Sequence, residues 1–600
     1  MALPAAVVLL VLMALPVAAA AAVCEDWLAT VLSVQGRIEV RRAGDVQWLE
    51  TKAGERFCSG DAIQIHDRSR SVVRLRSGAV LRLDQNTTIS FRIEKEDRAT
   101  WTWIDMVRGV VHFISRVRGG LKVGTPFVNG TVEGTEFVFD VDPDRAILTV
   151  FEGTVAAESR TPRDTVSVTS GQSVTARTGQ KLEIKPVTPR DAVQWALYYP
   201  SVLDSRPDAF PASLRPSVEA YRKGDVAAAF AALDRLGPGI TDPAFLTYHA
   251  VLLLSVGRVA EARTEIGKLA DGDGRRRAIE SVIAVVQGDK AAAMSRGEEA
   301  VKLLPRSAAV WIARSYAQQA NFDLAGARRS LEEAVKVEPR NALARARLAE
   351  IWLSLGKVRD AVREASEAVR LDPDLARTQT VLGFAHLAEL NPKRARDAFA
   401  RATALDSADP LPRLGLGLAR IRQGDVAGGR EELETAASLD PGNSLVRSYL
   451  GKAYYEERQD KPAGDEFARA KDLDPKDPTP WYYDAIEKQS ANRPVEALHD
   501  LQRAIELNDN RAVYRSRLLL DEDLAARSAS LARIYDDLGF RQLALAEGSK
   551  SVNTDPANAS AHRFLADTPA ARDRAGERSA AVAVAATAQR QSRPAEAGRE

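Results

Sequence analysis

The sequence predicts a multidomain protein: an all-β N-terminal domain, sandwich or β-solenoid-like, followed by an all-α solenoid. Two observations predict it. Pro305, Pro339 and Pro373 stand 34 residues apart, and Pro441 and Pro475 continue the register. Ser407 occupies the skipped rung, in Leu405-Asp406-Ser407 against Leu371-Asp372-Pro373 and Leu439-Asp440-Pro441. A fixed period of this length is one structural unit copied along an axis, and such a chain builds surface rather than a closed pocket. Before residue 190 the texture differs. Short β-branched segments alternate with turn pairs, and no helical period is present.

The N-terminus comes first. Residues 2–23 carry no charge and contain the apolar stretch Val7–Leu15 and the alanine run Ala18–Ala22. This reads as a signal peptide, residues 1–22, cleaved near Ala20 or Ala22. The alternative is an uncleaved anchor, since 22 apolar residues are long enough to span a bilayer. After cleavage no membrane span is expected. The two cysteines, Cys24 and Cys58, follow closely. In an oxidising compartment such a pair is a disulfide. The rival reading, a lipid anchor at Cys24, meets Val23 where lipoprotein signals place a small residue.

The β domain is expected over residues 25–190. Arg37–Val40, Ser71–Leu75, Ala79–Leu83 and Thr88–Phe91 are its first strands, separated by Ser59-Gly60, Ser77-Gly78 and Asp84-Gln85-Asn86. Gly109–Phe113, Glu136–Val141, Ile147–Val150 and Thr165–Val168 continue it. Each glycine is read as a positive-φ residue in a tight turn between strands. The ordered motifs Val34-Gln35-Gly36-Arg37-Ile38, Gly60-Asp61-Ala62-Ile63, Val107-Arg108-Gly109-Val110-Val111, Val132-Glu133-Gly134-Thr135-Glu136-Phe137, Phe151-Glu152-Gly153-Thr154-Val155 and Thr169-Ser170-Gly171-Gln172 resemble a FecR-type domain. That resemblance implies a bacterial, periplasmic or outer-membrane-associated module that contacts other envelope components.

Residues 191–209 read as a linker. Trp195, Tyr198 and Tyr199 precede the breaks at Pro200, Pro207 and Pro211. These aromatics are expected to pack the β domain against the first repeat, with a binding patch as the rival reading.

The helical array is expected over residues 210–566, as about ten units. In the unit 342–375, Leu348, Ala349 and Trp352 share one face of a first helix and Gly356 allows the turn. Ala361, Ala365 and Ala368 share a face of the second helix, which Asp372-Pro373 ends. The unit resembles the tetratricopeptide repeat, which implies protein or peptide partners held in a groove lined by the first helices. With Trp311 as slot four, slot nine reads Tyr316, Glu350, Phe384, Leu418, Lys452 and Ile486. Slot five contributes Ile312, Leu414 and Tyr482, and slot twelve Leu387, Ile421 and Tyr455. This mostly apolar strip is the candidate partner groove and suits an extended or helical peptide. The competing reading makes part of it ordinary helix packing.

The sequence carries few signs of chemistry. The six histidines are scattered, and no HExxH, phosphate-binding loop, nucleophile elbow or cysteine cluster occurs. Asp140, Asp142 and Asp144 flank Pro143 and read as a turn rather than a cation site. No catalytic, metal or cofactor site is expected. Lys+Arg 83 against Asp+Glu 82 gives no basic excess, so no nucleic-acid partner is expected. After Phe564-Leu565-Ala566 the rhythm stops at Pro569, and residues 567–600 are Ala- and Arg-rich. The sequence expects either a disordered tail or an array cut short by a frame shift.

The expectation is an exported, non-catalytic adaptor or scaffold of the bacterial envelope. An outer-membrane partner fits it. Signal sensing with an outer-membrane receptor, and a helper role in polysaccharide or outer-membrane assembly, are the alternatives.

Overall fold

Residues 29–186 form strands and residues 215–567 form helices. The computed structural model describes residues 26–567, apart from 97–98, 117–119, 161–162, 188, 204–205 and 515–519. The expected signal peptide, Cys24 and the tail beyond Asp567 lie outside the described residues.

Alternation places the strand core. In Thr154–Ser159, Val155, Ala157 and Ser159 are buried and the residues between are exposed. Large rings fill the interior: Phe57 stacks on Phe91 at 5.3 Å and Phe113 on Phe137 at 4.6 Å. Among the described residues, fifteen strands join one continuous hydrogen-bonded sheet.

Three glycines correct the sequence reading. Gly109, Gly134 and Gly153 have positive φ but lie inside the long strands Ala99–Ile114, Val128–Val141 and Ala146–Ser159. The pairing of the last two strands slips between Glu133 and Glu136, which marks a β-bulge. A Cβ on Gly153 would sit 2.5 Å from Thr135 Cγ2, and one on Gly109 2.3 Å from Thr87 Oγ1. A bulge and a turn ask glycine for the same φ, so the sequence alone does not separate them. The bend lets Ala99–Ile114 pair with Thr88–Glu96 along one stretch and with Val80–Leu83 along another.

Among the described residues the helices come as ten successive pairs, from Arg215–Arg222 with Val226–Asp234 to Leu520–Asp537 with Arg541–Thr554. Aspartate or asparagine begins many of them. Asp323, Asn341, Asp409 and Asn443 each accept an N–H of the first turn. Between the two helices of a pair one residue takes positive φ, and the position recurs at Gly288, Phe322, Gly356, Leu390, Gly424, Arg458 and Asn492. The small residues Ala361, Ala365 and Ala368 are fully buried, which lets neighbouring helices approach.

The proline ladder has a hydrogen-bonding counterpart. The slot-four side chain donates to the carbonyl of the rung: Trp311 to Pro305 at 2.9 Å, Arg345 to Pro339 at 3.1 Å and Gln379 to Pro373 at 3.0 Å. Trp481 does the same to Pro475 at 3.3 Å. The array also meets itself. Arg222 makes a two-pronged ion pair with Asp372, and Tyr514 reaches both Phe322 and Asp474. The 34-residue period breaks after Pro494–Glu506, where the short helix Arg511–Tyr514 precedes the 18-residue helix Leu520–Asp537.

Candidate functional site

The strands Arg70–Leu75 and Val80–Leu83 are buried on both faces, a pattern that asks for a second layer. The second layer is the solenoid. Val72 and Val80 pack against Leu439, and Ile114 joins the cluster of Leu414, Leu433 and Leu450.

Arginines on this outer strand face reach the carboxyl ends of solenoid helices. Arg70 donates to the carbonyl of Ser255, the last residue of the helix Pro243–Ser255, and to the carbonyl of Trp195 at 2.7 Å. Arg82 points at the Ser438 carbonyl at 3.5 Å, at the end of Val426–Leu439. A cation suits the negative end of a helix, where carbonyls lack partners. Arg74 donates to the Glu431 carbonyl and to Thr435 Oγ1 at 3.0 Å.

The skipped rung of the ladder belongs to this seam. Ser407 Oγ stands 3.3 Å from Ser33 Oγ and 3.4 Å from the backbone of Val34. Arg413, the slot-four residue of that unit, reaches the Leu32 carbonyl at 3.2 Å and Glu432 at 2.7 Å. A proline at 407 has no hydroxyl to offer the strand.

At the centre of the seam lies a buried charge cluster. Arg447 is inaccessible to solvent. It pairs with Glu136 of the sheet at 2.7 Å and with Glu466 at 3.2 Å. Arg116, two residues past the strand Ala99–Ile114, pairs with Glu466, with Glu152 at 2.7 Å and with Glu136 at 3.4 Å. His112 Nε2 lies 2.9 Å from Glu136. Burial opposes ionisation of Glu136, but Arg447, His112 and Arg116 outweigh it and hold its carboxyl well below the usual range. Burial pushes the His112 imidazole down and the Glu152 carboxyl up. Charge pairs this deep offset one another's burial cost rather than supply large net stability.

The bridge passes through the same region. Leu197, Tyr199 and Val202 belong to the core of the early repeats. The Trp195 carbonyl lies so close to Gly257 that a Cβ there would be 2.1 Å away. The Tyr198 hydroxyl donates to Asp409 at 3.4 Å. The bridge therefore packs well beyond the first repeat: Asp409, which Tyr198 reaches, and Gly442, whose Cβ would meet Leu197 at 2.7 Å, lie more than two hundred residues on.

The structure divides the candidate strip. Ile312 and Leu414 are interior, with 0% and 2% exposure, and hold helices together. This corrects their reading as partner contacts. Tyr316 lies under the Arg347 guanidinium at 3.9 Å, and Glu350 is paired with Arg347 and Arg377, both at 2.6 Å. Phe384 packs edge-on against Phe399 at 4.9 Å. Lys452 pairs with Glu456, and Tyr482 lies under Arg527. Phe384, Leu387, Leu418, Ile421, Tyr455 and Ile486 stay partly exposed. Sequence reasoning missed Arg447, Glu136, Arg116 and Glu466. The available signal was a charge inside an apolar strand run, as in Val80-Leu81-Arg82-Leu83 and Thr135-Glu136-Phe137.

Residues 61–156 match the family described as FecR protein, and 319–383, 380–444 and 414–478 match tetratricopeptide repeat families. The chain is a FecR–tetratricopeptide fusion. FecR-family proteins are associated with the cell envelope, and tetratricopeptide repeats imply protein partners. None of the curated proteins matches the chain. Similar solved structures include a human IFIT1 dimer with PPP-AAAA, 14% identical over 60% of this fusion and 96% of that chain, TM-score 0.39. MamA is 25% identical over 27% of this chain and 95% of its own, TM-score 0.22. Pseudomonas aeruginosa PilF is 17% identical over 36% and 94%, TM-score 0.27. Among the described residues no helix is long and apolar enough to cross a membrane, and no cluster of three or more His, Cys, Asp or Glu could hold a metal ion.

Proposed function

We propose that this fusion is a non-catalytic adaptor of the bacterial cell envelope, which holds other proteins on its repeat surface. The observation that carries the reading is the strip Phe384, Leu387, Leu418, Ile421, Tyr455 and Ile486. It keeps exposure although the neighbouring helices hold the strand module and the bridge. An apolar, aromatic-containing strip on successive first helices suits an extended or helical peptide. Export fits the FecR region and the uncharged leader. In this reading residues 1–22 are removed, Cys24 and Cys58 form a disulfide, and the protein works in the periplasm or at the outer membrane, where an outer-membrane protein is a candidate partner. The strand module spans 25–190 and the array 210–566.

Site-specific photocrosslinking in cells tests it. A photoreactive residue at Leu418 or Ile486 is expected to capture a discrete partner, identified by mass spectrometry. The same residue at Leu390 or Val495, which are exposed off the strip, is expected not to. Equal capture from both sets of positions removes the strip from the proposal.

A further inference from the structure

The bridge lies on the groove face of its own repeats. Val202 and Leu203 line a cavity of about 130 Å³ with Ala244, Ala278, Ala309 and Val310, which come from the first helices of three pairs. Ala278 falls in slot five of the register and Tyr316 in slot nine, two of the slots that make up the candidate strip. The Tyr198 hydroxyl donates to Asp409 at 3.4 Å, and its ring faces Tyr316 and Arg377. Leu197, the residue before it, would meet a Cβ on Gly442 at 2.7 Å. Phe210 ends the run edge-on to Tyr248 at 5.3 Å. The face continues past the bridge. The helix Ala376–Ala388 carries Arg377, which faces Tyr198, and also Phe384 and Leu387, which belong to the strip.

The bridge is a resident example of what this surface accepts. Residues 197–203 are neither helix nor strand, and Pro200 in their middle favours an extended path. Leu197, Tyr199 and Val202 anchor the segment and are 4%, 6% and 1% exposed. Two adjacent residues, Leu197 and Tyr198, reach Gly442 and Asp409 and face helices that begin at Ala308 and Ala376. The space there is one extended chain wide, whereas an α-helix with its side chains needs about 10 Å.

We propose that the partner segment held by the strip is an extended stretch of the bridge's own chemistry, leucine and tyrosine around a proline, laid on the same face as a continuation of the bridge. This rests on the adaptor reading above and decides between the extended and the helical peptide that it left open. Phe384 and Tyr455 offer rings against which tyrosine side chains pack. Leu418, Ile421 and Ile486 supply the apolar bed. The Lys452–Glu456 pair on the same helix face offers a donor and an acceptor to backbone groups that an extended chain leaves unpaired. A helical peptide pairs those groups internally and has no use for them.

Fluorescence anisotropy tests it, with a labelled peptide copying residues 193–203 titrated with the full chain. Saturable binding is expected. Leu418→Asp or Ile486→Asp in the protein should weaken it about tenfold, and so should Tyr198→Ala with Tyr199→Ala in the peptide. Leu390→Asp, at an exposed position off the strip, should leave it unchanged. Circular dichroism melts qualify each protein variant as folded, and the two strip positions are independent should one of them fail. An unlabelled amphipathic helical peptide of the same apolar content is expected not to compete. Absence of saturable binding overturns the proposal. So does an affinity unchanged by both strip variants, which is the result if the peptide displaces the bridge instead, and so does equal competition by the helical peptide. Discrete photocrosslinking at Leu418 without binding of the bridge peptide defeats this inference and leaves the adaptor reading standing, whereas failure of both removes the strip.

Discussion

Arg447→Met probes the seam most directly. Arg447 is inaccessible to solvent, and its guanidinium meets Glu136 of the sheet at 2.7 Å and Glu466 of its own repeat at 3.2 Å. Methionine keeps most of the apolar stem and removes the charge. Glu136 then retains Arg116 at 3.4 Å and His112 at 2.9 Å, and Glu466 retains Arg116. Arg116 is then shared as the ion-pair partner of Glu136, Glu152 and Glu466. Removing one partner of a buried pair typically costs about 3–5 kcal/mol, because an uncompensated charge stays behind. Denaturant unfolding, followed by tryptophan emission and by circular dichroism, should show that loss as a shifted midpoint in the sheet and helix signals together. Glu136→Gln with Arg447→Met completes a double-mutant cycle. The pair should recover about 0.5–3 kcal/mol relative to the sum of the single changes. The depressed Glu136 carboxyl adds a second readout. Its stabilisation is present above the ordinary carboxylate range and fades as pH falls towards its folded value, so Glu136→Gln should soften the acid limb of the stability profile. A change below about 0.5 kcal/mol for Arg447→Met, or an additive cycle, would refute the reasoning that this cluster fixes the two parts together.

The remaining predictions are smaller. Leu390→Gly should raise stability by roughly 0.5–1 kcal/mol, since Leu390 holds φ +60 with its side chain 68% exposed; Leu390→Ala, which keeps the strain, should be close to neutral in the same thermal melts. Gly257→Ala should be far more damaging than Gly424→Ala. Both carry positive φ, but a Cβ at 257 meets the Trp195 carbonyl whereas nothing lies within 4 Å at 424. Their difference in unfolding free energy, about 1–3 kcal/mol for a forced overlap, measures the crowding of residue 257 by the Trp195 carbonyl and the Arg70 guanidinium, and equal losses would count against it.

The two-part architecture was legible because each part has its own period: two residues in the strands, 34 in the array. The strand segments named from β-branched clusters lie in strands to within a residue, since that local signal survives tertiary packing. The bulges were not legible, for the reason seen at Gly134 and Gly153. The strip was legible only in part. Ile312 and Leu414 of slot five are core although Tyr482 is partly exposed, whereas slots nine and twelve keep Leu418, Ile421 and Ile486 partly exposed. The seam was hardest to read, because Glu136 and Arg447 stand 311 residues apart and no local pattern links them. Its trace was the presence of charges in runs that are otherwise apolar on both faces.

Ser407 brings the ladder and the seam together in one testable position. Asp406 has φ −141 and ψ 101, close to the φ −146 and ψ 91 of Asp372, which precedes a proline. The residue before position 407 therefore has the conformation that precedes proline elsewhere in the array. Judged by the repeat alone, Ser407→Pro should be neutral or should stabilise by about 0.4–1 kcal/mol, through the lower entropy of the unfolded chain. Judged by the seam, it should destabilise. The hydroxyl contacts to Ser33 and Val34 are lost, at about 0.5–1.5 kcal/mol for a typical hydrogen bond, and a ring is pressed against the strand Ala29–Gln35. The net expectation is a lower Tm. Ser407→Ala separates the two terms, since it removes the hydroxyl without adding the ring and should lie between wild type and proline. A Tm for Ser407→Pro above that of wild type would mean that the missing rung is a chance substitution in the repeat rather than an adaptation to the strand module it touches.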